Sequence, residues 1–434
     1  MHQSAEERLH GRLRFGIKLG LERIMKMLEL ARNPQDGFKA VIVGGTNGKG
    51  SVSHMLAKVL SKCGYKVGLY TSPHLVSYRE RIRVDGVPIS EDDFERLAGY
   101  AEEIARMVER DEGLDTPTEF ELLTLMACQH FANEHVDIAV MEVGLGGRYD
   151  ATNALSPILS ILTIVSLDHT DRLGKTHLEI ASDKIGITRP GVPLVTAEHK
   201  FSVLSFIQSH CYLHSIPLKV VGRDVRWRKL SASYDGICGD YKTWQSDYPE
   251  LKCSLGGDFQ FPNLGCVVAA VELLRQMGWS ISEEGMRAGV GNVRCYGRLD
   301  VLRHNPLVVA DGAHNPAAAV SLSRALRTLF SYGRLGLVIG VMGDKDVHGI
   351  LGALVPLADA VFATQAQSER ALKASELSKA ALRWGKPVYA FESVREAYEA
   401  AIGWAEEGDM ICVTGSIYVL GELPEYQQLA LQAI

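Results

Sequence analysis

The stretch Lys39-Ala40-Val41-Ile42-Val43-Gly44-Gly45-Thr46-Asn47-Gly48-Lys49-Gly50-Ser51 decides the fold. Its first half is a short, β-branched run that predicts a strand, and its second half sets glycines around one lysine. An amphipathic helix is expected over 51–62, stopped by Gly64, and then a second strand over 67–70. Strand, glycine turn, helix and strand make a βαβ unit, and a parallel strand pair needs such a crossover. The glycines let the turn aim several N–H groups at one point, and the positive end of the helix favours an anion there. Lys49 is placed to reach β- and γ-phosphates, and the Ser51 hydroxyl to bind Mg²⁺. The spacing departs from the commonest phosphate loop, because one residue is missing before Gly48 and Gly50 separates Lys49 from Ser51.

The alternation continues outward. Helices are expected near 91–110 and 117–134, and apolar strands over 138–143 and 158–165. Strands without polar interruption belong to a parallel sheet covered on both faces. Between about 222 and 256, short Tyr-, Trp- and Thr-bearing segments broken by Asp235-Gly236 and Gly239-Asp240 predict a small antiparallel patch of hairpins. A helix follows over 262–277. After Gly297, strands over 307–310, 336–340, 360–363, 388–390 and 410–413 alternate with helical stretches. The expected fold is α/β with two domains. Residues 1–296 form a phosphate-loop, mononucleotide-binding parallel sheet with the antiparallel patch, and 297–434 a Rossmann-like α/β unit.

Composition narrows the function classes. The chain has 434 residues, 46% hydrophobic and 23% charged, with a net charge of −6. That length exceeds one hydrophobic core. No Lys/Arg stripe favours nucleic acid, and no apolar run reaches membrane-spanning length. The eight cysteines include no C-x-x-C pair, so reduced, buried thiols are expected. The first residues lack the apolar core of a signal peptide, and a cytoplasmic monomer is expected.

Gly45 to Ser51 resembles the phosphate loop of the Mur ligase superfamily, and its Lys-Gly-Ser ending is similar to the folylpolyglutamate synthase/dihydrofolate synthase branch. Thr71-Ser72-Pro73-His74-Leu75 and the segment Glu142 to Asn153 also match. So do Leu167-Asp168-His169-Thr170-Asp171, Asp311-Gly312-Ala313-His314-Asn315-Pro316 and Gly343-Asp344-Lys345-Asp346, all in order. The resemblance implies an ATP- and Mg²⁺-dependent ligase that joins L-glutamate to a folate or to dihydropteroate. A carboxylate of the acceptor attacks the γ-phosphorus, and the glutamate amine then displaces phosphate from the acyl phosphate.

The same resemblance implies the site. Gly45, Thr46, Asn47, Gly48, Lys49, Gly50 and Ser51 would cradle the phosphates, with Asn263, Arg298 and Asp311 on the nucleotide. Ser51, Ser72, Glu142 and His169 form the metal side, shared by up to two ions; Glu142 and His169 follow strands at the edge where open sheets bind ligands. Lys184 corresponds to a lysine carbamylated by CO₂, which needs a neutral amine; a plain lysine paired with phosphate or Asp183 is the alternative. Lys49, Lys184, Asp311 and His314 are the catalytic candidates. Ser72, Pro73, His74, Arg81, Asp150, His314 and Ser416 are expected on the substrates, with Arg79 beside Arg81 either forking onto carboxylates or lying solvated. Departures from the pattern include Phe259 in place of His, Cys295-Tyr296 in place of Trp-Pro, Asp300 in place of Glu and Ile185 in place of Ala. A Mur-type ligase for another carboxylate is the nearest competing reading, but the second unit of cell-wall ligases lacks Asp-Gly-Ala-His-Asn-Pro. A kinase or NTPase switch would not need a second α/β unit, and a non-catalytic nucleotide binder would not need both Lys49 and Glu142.

Overall fold

The structure is a computed structural model describing residues 4–12, 20–111 and 113–432. Strands β1 (Lys39–Gly44), β2 (Val67–Tyr70), β3 (Ile82–Val84), β4 (Val87–Pro88), β5 (Ile138–Glu142), β6 (Pro157–Leu162), β7 (Leu194–Thr196) and β8 (Leu218–Val220) build one sheet. Its order is β4-β3-β2-β5-β1-β6-β7-β8. Pairing is parallel from β2 to β8 and antiparallel between β2 and β3 and between β3 and β4. Residues along β1 alternate between two cores. Val41 and Val43 face the cluster around helix Gln260–Gln276, whereas Ala40 faces the cluster of helices Glu91–Asp111 and Glu119–Asn133. Both faces are therefore covered, as the uninterrupted apolar runs require.

Strands β9 (Arg226–Ala232), β10 (Ile237–Lys242) and β11 (Asp247–Cys253) form the antiparallel patch. Strands β12 (Asp300–His304), β13 (Leu307–Asp311), β14 (Leu335–Ile339), β15 (Ala360–Ala363), β16 (Val388–Ala390) and β17 (Met410–Thr414) form a six-stranded sheet, β12-β13-β17-β14-β15-β16. It is parallel except for β12. Alternate residues again divide between two cores, with Val309, Leu337 and Cys412 on one face and Val308, Val338 and Val413 on the other.

Two sequence expectations shift. The strand read to residue 165 ends at Leu162, because Thr163 turns aside and its Oγ1 donates to the carbonyls of Asn47 at 2.8 Å and Gly44 at 3.2 Å. The β3–β4 hairpin, strands β7 and β8 and the antiparallel strand β12 are short and were not anticipated. Among the described residues every cysteine is a free thiol, and most are buried. Cys266, Cys128 and Cys412 each lie in a different core cluster. No helix among the described residues is long and apolar enough to cross a membrane.

Candidate active site

The first sheet delivers its loop between β1 and helix Lys49–Lys62. Gly45 and Gly48 hold φ of 129° and 92°, conformations that favour glycine. Space also demands it. A Cβ on Gly45 would strike Thr163 Oγ1, and one on Gly48 would strike Asn263 Oδ1. Two lysines converge on the loop. Lys49 Nζ donates to the Thr46 carbonyl at 3.3 Å, and Lys184 Nζ donates to the Gly45 carbonyl at 3.0 Å. Desolvation lowers the pKa of both, against Glu142 for Lys49; desolvation and the neighbouring Lys49 charge bring Lys184 down to about 7. Lys184 thus sits on the loop with its charged form disfavoured by burial, Asp168 and Asp183 acting in the opposite sense.

Glu142 ends β5, only 4% exposed, and a Cβ on Gly50 would lie 3.7 Å from its Oε2. Burial raises its pKa, while Lys49, His54, Arg298 and the Ser72 backbone N–H favour the charged form. Ser51 Oγ accepts from Gln260 Nε2 at 3.2 Å, and Asn263 Nδ2 donates to Gln260 Oε1 at 2.8 Å. Asn263 is therefore tied to the loop through Gln260 and does not line the large cavity described below.

The second sheet meets this loop at its own carboxyl edge. Asp311 ends β13 and accepts the backbone N–H groups of Leu299 at 3.0 Å and Ala313 at 2.9 Å. Burial raises its pKa to about 6, against the pull of Arg298. His314 Nδ1 is 2.8 Å from the Gly312 carbonyl, so this nitrogen carries the proton and Nε2 is left for a partner. Asn47 and Asn315 exchange amide hydrogen bonds of 3.2 and 3.0 Å across the two sheets.

Asp168 is the node that sequence reasoning passed over. It follows β6 and accepts from Lys345 Nζ at 2.6 Å and Asn315 Nδ2 at 3.1 Å, with His314 Nε2 3.5 Å away. Burial opposes its charge, yet His314 and Lys345 hold its pKa far below the usual carboxylate range. The motif Leu167-Asp168-His169 was visible but was read only for the histidine. That histidine faces the second sheet, with its Nε2 3.0 Å from Lys345 Nζ. Burial and the Lys345 charge lower its pKa to about 4, so the ring is neutral and Nε2 accepts from the ammonium. Among the described residues no three His, Cys, Asp or Glu side chains gather as a metal cluster. The oxygen donors Ser51 and Glu142 beside a phosphate loop still suit a hard cation, whose other ligands are phosphate and water.

A cavity of about 860 Å³ opens between the two sheets, lined by Ser72, Pro73, Arg81, Asp150, His314 and Ser416 among others. Several expected substrate residues turn out to be partly committed. Arg81 Nε donates to His74 Nδ1 at 3.0 Å and its guanidinium lies 3.4 Å from Glu119, so it holds the loop as well as facing the cavity. Arg79 Nε donates to the Ile89 carbonyl at 2.8 Å, and the residue does not line the cavity. Asp150 accepts four local hydrogen bonds, from Gly144, Leu145 and twice from Thr152; it shapes the segment after β5. Ser416 caps helix Ile417–Gly421.

Residues 43–271 match the Mur ligase middle domain and residues 297–417 the Mur ligase glutamate ligase domain. A dihydrofolate synthase/folylpolyglutamate synthase of Bacillus subtilis is 31% identical over 428 residues, spanning 97% of this chain and 98% of that one. The chain belongs to the folylpolyglutamate synthase/dihydrofolate synthase family. Solved members superpose closely. Mycobacterium tuberculosis folylpolyglutamate synthase complexed with ADP matches with TM-score 0.90 at 32% identity, covering 96% of this chain and 97% of that one. E. coli FolC in complex with DHPP and ADP matches with TM-score 0.86 at 30% identity and 99% coverage of both. With the family established, the chain is an ATP-dependent acid–amino-acid ligase.

Proposed function

We infer that this ligase adds L-glutamate to a folate, to dihydropteroate or to both, in the two-step reaction of acyl-phosphate formation and amine attack. One observation carries the reading: the carboxyl edge of one sheet, with its phosphate loop, is bonded through Asn47–Asn315 and Asp168–Lys345 to the carboxyl edge of the other, over a cavity both line. An acyl phosphate survives only where water is excluded, and a site assembled from two units can close over it.

In this reading residues 1–296 hold ATP and 297–434 present glutamate. The loop N–H groups and Lys49 neutralise charge on the transferred phosphoryl group. Ser51, Ser72 and Glu142, with His169 once it releases Lys345, would hold Mg²⁺, which would supply further charge neutralisation on the phosphates. Arg298 and Asp311 face the nucleotide from the second unit. His314, whose Nε2 is free of backbone, takes the proton that the glutamate amine loses on attack. Lys184, with a substantial neutral fraction near pH 7, is competent to carry a carbamate beside Lys49. The protein works as a monomer in the reducing cytoplasm, where its thiols stay unpaired.

The deciding measurement is ADP release by purified protein given ATP, Mg²⁺, glutamate and either acceptor. ADP release that stays at background with both acceptors would sink the folate reading.

A further inference from the structure

The cavity is larger than the reaction centre, and one part of its wall has no role in the scheme above. Gly50, His54 and Lys58 stand at four-residue intervals along helix Lys49–Lys62 and all line it. Gly50 lies beside Glu142, and Lys58 lies two turns, about 12 Å, farther along. The floor opposite is β2, whose Val67, Leu69 and Thr71 point to one face, and Arg83 of β3, which pairs with Leu69. The remaining wall is the segment 292–296 that joins the two units, including Arg294.

A groove therefore leads away from the phosphates, and three cations line it. Lys58, Arg83 and Arg294 have no ion-pair partner among the described residues, unlike Arg370 and Arg81 elsewhere on the same cavity wall. Arg83 is held in place through the carbonyls of Glu80 at 2.9 Å and Gly86 at 3.3 Å, with the Glu80 carboxylate near enough to favour its charged form without forming an ion pair. Arg294 is exposed and Lys58 half-buried, so both charges face solvent and an incoming ligand. Unpaired cations spaced along a groove suit a ligand with repeated negative charge, and the apolar floor of Val67 and Leu69 suits the methylenes between those charges.

We propose that the groove bounded by Lys58, Arg83 and Arg294 seats the γ-glutamyl tail of an acceptor that already carries glutamates, its α-carboxylates facing the three cations. The proposal rests on the folate-ligase reading and adds which acceptors the site favours. Each γ-linked glutamate brings one more carboxylate. Dihydropteroate, with a single carboxylate that must lie at the γ-phosphate, leaves the groove empty. The cations thus distinguish acceptors by tail length and leave the chemistry untouched.

The test compares three acceptors, namely dihydropteroate, a monoglutamyl and a triglutamyl tetrahydrofolate, in wild type and in the Lys58→Ala/Arg294→Ala double variant. The expected result is a KM for the triglutamate raised about tenfold, with the KM for dihydropteroate and every kcat unchanged. In wild type the triglutamate KM should also climb with salt, and that dependence should flatten in the variant. A parallel change for all three acceptors, or none, overturns the seat. So does a wild type that glutamylates dihydropteroate but no acceptor with a tail, a result that leaves the ligase reading intact. If wild type uses none of the three, the ligase reading falls and the seat with it.

Discussion

The carboxyl edges of the two sheets use charge in opposite ways. At the first, Lys49 and Lys184 donate to carbonyls of the phosphate loop, weak partners that a phosphate or carbamate can replace. At the second, Lys345 and Asn315 spend themselves on Asp168 and Asn47 of the opposite sheet. One edge keeps its groups available for a ligand, and the other uses its groups to join the halves. Chemistry and closure are thus separable, and mutations should divide accordingly.

Loss of the ligand-facing edge should cost most. Lys49→Ala is expected to lower turnover about a thousandfold while the thermal midpoint stays near wild type. Glu142→Ala should follow at about a hundredfold, with ATP affinity losing its Mg²⁺ dependence in calorimetry. Wild-type turnover in either variant would dissolve the contrast at its first term.

The joining edge predicts a different signature. Asp168→Asn should slow glutamate addition about thirtyfold, because it leaves Lys345 without its buried partner. The sharper readout is coupling: ADP released per glutamate joined should exceed one, since a looser closure admits water to the acyl phosphate. Coupling that remains one to one would make Asp168 merely structural.

Lys184 tests the ligand-facing edge by pH. Its native pKa of about 7 lies below the ordinary 10.5, so between those values the unfolded chain binds more protons than the native one. This group therefore makes stability rise with pH across that window, and below about pH 7 the benefit is absent. Denaturation midpoints of wild type and Lys184→Met, measured in CO₂-free buffer on both sides of pH 7, should converge at high pH. With bicarbonate, intact-mass measurement should find one CO₂ added to wild type and none to the variant.

The smallest effect concerns a contact far from the chemistry. Tyr234 on the antiparallel patch stacks on Phe330 of the second unit at 5.2 Å between centroids. Phe330→Ala should cost about 1 kcal/mol in stability and leave coupling unchanged.

How much of this the sequence disclosed follows the same division. The phosphate loop was legible because its glycines, lysine and serine are contiguous, and the local geometry needs nothing from elsewhere. The long parallel strands were legible because burial on both faces writes an unbroken apolar run. Strands β3, β4, β7 and β8 were not, being too short to show a period. Asp168 was hidden for another reason: its partners Asn315 and Lys345 lie 147 and 177 residues away, and no local pattern announces such a pairing. Asp150 and Arg81 do line the cavity, but a motif reports identity and cannot show how many hydrogen bonds the neighbours already take.

The scattered cysteines offer one more use of the fold. Burial pushes Cys128 and Cys266 up to about 12 and raises Cys412 well beyond the ordinary thiol, so all three are inert to alkylation while their cores stay shut. Because each sits in a separate core cluster, the rate at which a thiol reagent modifies each one clocks the breathing of that core alone. The chain carries its own three stopwatches, readable peptide by peptide without adding a label.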